Sequence, residues 1–215
     1  MGLDMGFHSI ICVCRINTVI NTNSVNIKNY QECERRWKYV VVIVGESGGG
    51  KSSVAKMLAD KYGYKNVVTY TTRPMRTGEI DGVDYHFVDE RQLNKMQDSL
   101  CLEANYRGWH YAADINDLTD DSVIVVTPSG LRELKRKGVI FKSIYLNVPR
   151  RDRLIQLLNR GDDIEEAYRR SLSDVGQFDG VEDEVDFVIN NSKYKKSVEN
   201  IVQEILQKIN SAEIC

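Results

Sequence analysis

The sequence predicts an α/β protein built on a parallel β-sheet. From Trp37 onward, apolar runs of strand length alternate with stretches of helical periodicity. Two of the apolar runs, 40–44 and 122–127, consist largely of uninterrupted valine and isoleucine, as in strands that are buried on both faces. Strands that alternate with helices indicate parallel pairing through crossover connections. A chain of 215 residues is long enough for one sizeable domain with an appendage.

Each predicted element has its own local signal. The predicted strands are short runs rich in β-branched and aromatic residues, at 40–44, 66–69, 83–88, 122–127, 139–148 and 185–190. The predicted helices show apolar residues at helical spacing, at 51–62, 89–96, 128–138, 150–159, 163–176 and 194–209. Gly63 ends the first helix and Asp89 caps the second. Residues 100–111 mix β-prone segments around a break at Gly108.

The composition excludes several classes of protein. A net charge of −2 gives no basis for general nucleic-acid binding, and no apolar run approaches the length of a membrane span. The N-terminus lacks the basic segment of a signal peptide. The five cysteines are irregularly spaced, which favours free thiols over a metal site at Cys12 and Cys14. We therefore expect a cytoplasmic protein with neither a nucleic-acid nor a membrane partner.

Residues 1–37 differ from the rest of the chain. Residues 7–16 alternate loosely between apolar and polar and predict a strand, and the following stretch is rich in asparagine. An edge hairpin, a partner-binding arm and a poorly ordered leader all fit this composition. We treat 1–37 as an extension without a catalytic role and 38–215 as the folded domain.

A glycine-rich loop after the first strand has the spacing of a phosphate-binding loop. Four residues separate Gly45 from Gly50, and Lys51 and Ser52 follow directly. Glycines allow backbone N–H groups to turn toward a polyphosphate, and the dipole of the next helix faces the anion. Lysine at this position reaches the β- and γ-phosphates, and the serine hydroxyl binds Mg²⁺. The predicted ATP-binding residues of this loop are Gly45, Gly48, Gly49, Gly50, Lys51, Ser52 and Ser53.

A second charged segment lies between Thr69 and Val88. Arg73 and Arg76 are three residues apart, and each guanidinium offers a planar fork to a phosphate. Glu79 can orient one of these arginines, and Tyr85 can donate its hydroxyl. Such charge alone fits a solvated loop equally well. Beside an intact phosphate-binding loop, a binding site for a monophosphate is the favoured interpretation.

The chain from about Tyr39 to the C-terminus resembles the guanylate kinases. Its segment T-T-R-P-M-R-T-G-E-I-D-G-V-D-Y-H-F follows the family pattern T-T-R-x-x-R-x-G-E-x-x-G-x-x-Y-x-F. The resemblance implies a three-layer P-loop kinase fold with a parallel sheet core. It also implies a mixed β subdomain that binds the monophosphate, at 69–113, and a helical lid, at 150–176.

The resemblance also implies roles for individual residues. Glu103 stands where the family has a carboxylate that accepts hydrogen bonds from guanine N1 and the 2-amino group. Asn190 stands beside the donor adenine, and Arg160 in R-G-x-x-x-E-E is the lid arginine. The predicted acceptor-binding residues are Thr69, Arg73, Arg76, Glu79, Tyr85, Glu103, Tyr111 and Thr127. The predicted catalytic residues are Lys51, Arg73, Arg160 and Arg170.

Several positions depart from the family pattern. Val125 and Thr127 replace two acids, of which one assists Mg²⁺ and the other contacts guanine. Ser171 replaces a lid arginine, with Arg170 beside it. Thr127 still offers a hydroxyl to the base. Glu46 and Asp121 are the candidate substitutes for the missing metal carboxylate.

The function predicted from these features is transfer of the ATP γ-phosphate to GMP or dGMP, with Mg²⁺ as cofactor, by a monomer or homodimer. Kinases of this type neutralise charge and exclude water, and they need no general base. A kinase for another nucleoside monophosphate and a guanylate-kinase-like interaction module are the alternatives. The intact loop of Gly45, Gly50, Lys51 and Ser52 favours an enzyme, whereas Val125 favours the interaction module.

Overall fold

The structure is a computed structural model that describes residues 39–76, 78–106 and 108–211. The predicted extension 1–37, with its predicted strand, lies outside these residues. The strands are β1 (Val40–Val44), β2 (Lys65–Asn66), β3 (Tyr70–Thr71), β4 (His86–Phe87), β5 (Leu100–Tyr106), β6 (Trp109–Asp114), β7 (Ser122–Val126), β8 (Phe141–Asn147) and β9 (Phe187–Asn190). The helices are α1 (Lys51–Tyr62), α2 (Glu90–Asn94), α3 (Pro128–Arg136), α4 (Arg150–Asn159), α5 (Ile164–Asp174) and α6 (Val198–Ser211).

Strand β1 lies at the centre of a parallel sheet with the strand order β2-β7-β1-β8-β9. It pairs with β7 on one side and with β8 on the other, and all its residues are buried. This explains its uninterrupted valine and isoleucine sequence, because both faces of the strand are covered. The carboxyl ends of β1 and β7 therefore lie side by side, where α/β proteins bind ligands.

Helices cover both faces of the core sheet. Val41 and Ile43 pack with α1 and α6 in one apolar cluster. Val42 and Val44 point to the other face and pack in a second cluster with α3 and with residues of β5. The alternation along β1 thus produces the predicted three-layer arrangement, and the predicted α/β fold class is confirmed.

The second sheet is mixed and has the strand order β4-β3-β6-β5. Strands β5 and β6 form an antiparallel hairpin whose register shifts between Leu100 and Leu102. Strand β3 pairs in parallel with β4 and antiparallel with β6. Helix α2 follows β4, and its N-cap Asp89 forms a capping box with Gln92, which confirms the predicted cap.

The predicted strands 66–69 and 83–88 are wrong in their extent. Only Lys65–Asn66 joins the core sheet, through β7, whereas Tyr70–Thr71 joins the second sheet. Within 83–88, only His86–Phe87 forms a strand. Pairing partners decide where a strand begins and ends, and local β-propensity does not reveal them. None of the helices in the described ranges is long and apolar enough to cross a membrane.

Candidate active site

The glycine-rich loop connects β1 to α1 at the carboxyl edge of the core sheet. Gly48 and Gly50 adopt φ angles of 80° and 87°, the left-handed region that favours glycine. At Gly48 a side chain is disfavoured by this φ angle and also by lack of space, because a Cβ atom would lie 3.0 Å from the Arg153 carbonyl oxygen. Gly50 is the N-cap of α1 and supplies no side-chain oxygen there. The start of α1 has the form of an anion-binding helix terminus.

Arg153 supports this loop from α4, a role that the sequence did not reveal. Its side chain is only 7% exposed and lies 3.2 Å from the Glu46 carboxylate. Its Nε donates to the Val148 carbonyl oxygen at 2.9 Å. The Tyr145 hydroxyl also donates to the Glu46 carboxylate, at 3.0 Å, and burial and the charge of Glu46 raise the pKa of Tyr145. Arg153 is therefore part of the framework of the loop.

Asp174, at the end of α5, joins three parts of the site. Its side chain is only 3% exposed. One carboxylate oxygen accepts from the Ser47 N–H of the phosphate-binding loop at 2.9 Å, and Arg153 lies 3.5 Å from the same oxygen. The other oxygen accepts from the Tyr106 hydroxyl of the β5–β6 hairpin at 2.5 Å. Helix α5, the loop and the hairpin thus share one buried carboxylate.

The predicted acceptor segment is organised around Arg73. This guanidinium forms a two-pronged ion pair with Glu79, with N–O distances of 3.0 and 2.8 Å. It also lies over the rings of Tyr85 and Phe87, 5.2 and 5.5 Å from their centroids. Glu79 accepts a further hydrogen bond from the Arg76 N–H at 2.7 Å. The predicted orienting role of Glu79 is consistent with this geometry.

Arg73 and Arg76 of the predicted acceptor segment lie near Arg170 of α5, and Arg76 and Arg170 both contact Glu166, at 3.5 and 2.8 Å. Burial lowers the pKa of Arg76, and the nearby positive charges of Arg170 and Arg73 lower it further. Arg170 comes from α5, where it contacts Glu166 at 2.8 Å and Asp162 at 3.2 Å. Positive side chains gathered in one cleft produce a potential that attracts an anion.

We expect Glu79 to stabilise the fold in its ionised form, and therefore to lose this effect at acidic pH. Burial alone would raise its pKa, but the hydrogen bonds from Arg73 and from the Arg76 N–H outweigh burial and lower the pKa below its ordinary 4.5. The stabilisation is fully present above the unfolded pKa and is lost as the pH falls through the folded pKa. Urea unfolding gives the free energy of unfolding of the wild type and of Glu79→Gln at each pH. The difference between these two free energies should become smaller as the pH falls from about 6 to about 3. The exposed Glu103→Gln variant is the control, and a pH-independent difference for Glu79→Gln would contradict this prediction.

A cavity of about 1180 Å³ joins these parts. Most of the predicted site residues line it, namely Gly45, Gly48, Lys51, Ser52, Thr69, Arg73, Arg76, Glu79, Tyr85, Tyr111, Thr127, Arg160 and Arg170. The predicted residues that are not among its lining residues are Gly49, Gly50, Ser53, Glu103 and Asn190. Gly49 and Gly50 belong to the loop backbone, and Asn190 at the end of β9 accepts from the Asn147 side chain at 3.0 Å.

The structure corrects the prediction for Glu103. This residue is exposed and lies on the face of β5 that points away from the cavity. From Leu102 onward β5 pairs with β6 in unbroken register, with Glu103 opposite Ala112 and Ala104 opposite Tyr111, so that Leu102 and Tyr106 line the cavity instead. Glu103 therefore does not reach an acceptor base in this arrangement.

Glu46 and Asp121, the two candidates to replace the Mg²⁺-assisting acid that is absent at Val125, are not placed for that role. The Glu46 carboxylate is bound by Arg153 and Tyr145. Asp121 precedes β7 and accepts from the Thr119 hydroxyl, at the opposite end of that strand from the cavity. Across the ranges that the structure describes, no group of three or more His, Cys, Asp or Glu side chains is arranged to hold a metal ion.

Comparison with known proteins gives the family. The family model described as guanylate kinase matches residues 38–209. The chain belongs to the guanylate kinase family. A guanylate kinase of Prochlorococcus marinus subsp. pastoris is 32% identical over 186 residues, which are 81% of this chain and 98% of that protein. A guanylate kinase of Haemophilus influenzae is 31% identical over 77% of this chain and 86% of its own.

A solved structure agrees with this membership at the level of the fold. The crystal structure of guanylate kinase from Anaplasma phagocytophilum superposes with a TM-score of 0.58 and 19% sequence identity. The match covers 83% of this chain and 88% of the other. The predicted family and its enzyme class, an ATP-dependent nucleoside monophosphate kinase, are confirmed.

Proposed function

We propose that this member of the guanylate kinase family transfers the γ-phosphoryl group of ATP to GMP, which gives ADP and GDP. One observation carries the proposal: a single cavity is lined by the phosphate-binding loop, the acceptor arginines and the lid arginines together. Two nucleotide phosphates can meet there within one site, since the loop and the acceptor segment line the same space. The family membership supports the same chemistry.

The donor half is the loop from Gly45 to Ser52. Backbone N–H groups and the start of α1 bind the ATP phosphates, and Lys51 places a positive charge beside them. The Lys51 ammonium donates to the Glu46 carbonyl oxygen at 2.9 Å, so its side chain folds back against the phosphate-binding loop. Asn190 is not among the residues that line the cavity. Its proposed contact with the donor base therefore lies at the outer edge of the site.

The acceptor half is formed by Arg73, Arg76, Tyr85 and Tyr111. Arg73 is 6% exposed, and its Nε has no hydrogen-bond partner in the described part of the chain. A buried N–H group without a partner is costly, and a bound phosphate oxygen would satisfy it. The aromatic rings of Tyr85 and Tyr111 meet edge to face 5.9 Å apart, which fixes the wall beside this guanidinium.

Mg²⁺ is expected to enter with ATP. Ser52 lines the cavity at the start of α1, so its hydroxyl is the protein ligand that we assign to the ion. Oxygen ligands from phosphates and water suit Mg²⁺, which often has few protein ligands. When bound, the ion neutralises charge on the ATP phosphates.

The transfer itself requires positioning and charge neutralisation. An oxygen of the acceptor phosphate forms a bond to the γ-phosphorus while the bond between that phosphorus and the β,γ-bridging oxygen breaks, and ADP leaves with the electron pair. Lys51, Arg160 and Arg170 neutralise the charge that spreads over the transferred group. The lid, α4 and α5, excludes water, which would otherwise accept the phosphoryl group.

A coupled assay that detects ADP formation tests this proposal. With ATP, Mg²⁺ and GMP, we expect GDP and ADP in equal amounts. The acceptor panel also includes dGMP, AMP, UMP and TMP, so that another monophosphate kinase would be recognised. Failure to turn over any of these acceptors at high enzyme concentration would favour a non-catalytic interaction module.

A further inference from the structure

Residues 191–196, which we call the β9–α6 turn, follow β9 at the carboxyl edge of the core sheet. Lys193 and Tyr194 in this turn have φ angles of 54° and 49°. They are the two non-glycine residues with positive φ within 39–76, 78–106 and 108–211. A residue other than glycine is disfavoured in this left-handed region and stays there only when its surroundings hold it. The contacts that hold the turn therefore indicate its role.

Hydrogen bonds fix the backbone of the β9–α6 turn on two sides. The buried Asn191 side chain accepts from the Lys196 N–H at 2.9 Å and donates to the Lys196 carbonyl oxygen at 3.1 Å. The Lys193 N–H donates to the Asp152 carboxylate of α4 at 2.7 Å. Because the backbone is held at these points, the Tyr194 side chain leaves the turn in a defined direction.

Tyr194 contacts the phosphate-binding loop from this turn. Its hydroxyl donates to the Gly48 carbonyl oxygen at 2.5 Å, although the two residues are 146 positions apart in the chain. Gly48 also lies against α4, since a Cβ atom at this position would be 3.1 Å from Leu157 Cγ. The middle of the loop is therefore supported both by a helix and by the β9–α6 turn.

The Gly48 carbonyl belongs to a peptide group whose N–H acts inside the loop. In a planar trans peptide, the carbonyl oxygen and the following N–H point in opposite directions. The Gly49 N–H donates to the Glu46 carbonyl oxygen at 3.1 Å, and the Lys51 ammonium donates to the same oxygen at 2.9 Å. The hydrogen bond from Tyr194 therefore fixes the peptide group that binds the Glu46 oxygen, which is also the acceptor for Lys51.

The orientation of peptide groups decides whether a loop can bind an anion. Phosphate is bound by N–H groups that point inward, and a carbonyl oxygen that turns inward repels it. The peptide between Gly48 and Gly49 has a glycine on each side, and glycine restricts backbone rotation less than any other residue. A hydrogen bond from outside the loop, such as that from Tyr194, limits this rotation.

We propose that Tyr194 is a positioning residue for phosphoryl transfer, which holds the peptide between Gly48 and Gly49 in the orientation that binds the ATP phosphates. This inference rests on the proposed function, because it takes the loop as the donor site. Tyr194 is not among the residues that line the cavity, whereas Gly48 is. Tyr194 therefore acts on the donor through the loop and not by direct contact.

Tyr194→Phe tests the proposal, because it retains the ring and removes only the hydroxyl. Loss of one hydrogen bond lowers the population of the binding-competent loop, so we expect the dissociation constant of ATP with Mg²⁺ to rise about three- to tenfold in calorimetric titration of the full-length protein. The KM for ATP should rise with it, whereas the KM for GMP should stay within about twofold of the wild type. A rise in the ATP dissociation constant of less than about threefold would overturn the proposal.

Inorganic tripolyphosphate distinguishes an effect on the loop from an effect on the nucleoside. It carries the phosphates of ATP without the base or the ribose, and with Mg²⁺ it is used as a competitor of ATP. If Tyr194 acts through the loop, Tyr194→Phe should raise the inhibition constant of tripolyphosphate by the same factor as the dissociation constant of ATP. A rise for ATP alone would overturn the proposal, because the hydroxyl would then act on the nucleoside.

Tyr62→Phe is the matched control. The Tyr62 hydroxyl donates to Glu199 at 2.7 Å, at the end of α1 opposite to the phosphate-binding loop. This substitution also removes a tyrosine hydrogen bond, and it should leave the affinities for ATP and tripolyphosphate unchanged. If Tyr62→Phe weakened ATP binding as much as Tyr194→Phe, a general loss of stability would be the cause and the proposal would be overturned.

The outcomes for the two proposals can be separated. A wild-type protein that transfers the phosphoryl group to GMP, together with a Tyr194→Phe variant that binds ATP equally well, would contradict this inference alone. A lower Tm for that variant with unchanged ATP affinity would show that Tyr194 only stabilises the fold, and would contradict it equally. Failure of the wild type to bind ATP at millimolar concentration would contradict the proposed function and this inference with it.

Discussion

Replacement of Lys51 by alanine is expected to lower kcat for phosphoryl transfer by about 10²–10³-fold, the usual effect of removing one group that stabilises transition-state charge. Lys51 lies at the start of α1 and lines the shared cavity. Its charge acts on the phosphates, and the substitution leaves the apolar face of α1, which includes Val54 and Leu58, unchanged. The measurement is the steady-state kcat with saturating ATP and GMP.

Lys56→Ala is the matched control for this prediction. Lys56 lies on the exposed face of the same helix, so its loss should leave kcat unchanged. The exposed Lys56→Ala should unfold at nearly the wild-type temperature, since surface substitutions usually change stability by less than about 0.5 kcal/mol. Lys51→Ala should remain folded, because the apolar face of α1 is unchanged. A Lys51→Ala enzyme with wild-type kcat would show that the loop does not bind the donor phosphates as proposed.

Arg153→Ala is expected to produce the largest loss of stability. The substitution leaves the carboxylates of Glu46 and Asp174 without their buried cation. Breaking a buried ion pair by removing one partner typically costs about 3–5 kcal/mol. In a domain of this size, each kcal/mol lowers Tm by roughly 2–4 °C, so a fall of about 6–20 °C is expected.

Arg151→Ala provides the comparison for Arg153→Ala. Arg151 belongs to the same helix and is exposed, and exposed charges contribute little to stability. Thermal unfolding followed by circular dichroism should therefore separate the two variants clearly. Equal Tm values would mean that water or rearrangement compensates the two carboxylates, and that Arg153 does not support the loop.

The parts of the fold that the sequence predicts correctly are those with local causes. The predicted bounds of β1 and α1 agree with the structure, because a continuous β-branched run and a glycine at each end of the helix define them. The Asp89 capping box is equally local, since its two hydrogen bonds join residues three apart. The phosphate-binding loop could therefore be placed with the sequence alone.

The roles that were misassigned or missed depend on distant contacts. Which face of β5 a residue occupies depends on its pairing with β6, and a shift of one residue would move every side chain to the other face. Glu103 was assigned by its position in a motif, which carries no information about this pairing. Arg153 was indistinguishable from its exposed neighbours, because its burial arises from Glu46 and Asp174, more than 20 residues away in either direction.

The shared carboxylate of Asp174 has a consequence for the affinities of the two nucleotides proposed to bind here. Ser47 belongs to the donor half and Tyr106 to the hairpin beside the acceptor half, and both donate to Asp174. A movement of either donor changes the energy of the carboxylate and therefore that of the other donor. Thermodynamic linkage is symmetric, so any factor by which ATP alters GMP affinity through this contact is the factor by which GMP alters ATP affinity. Under the proposed function, the binding of either nucleotide would then change the affinity of the site for the other.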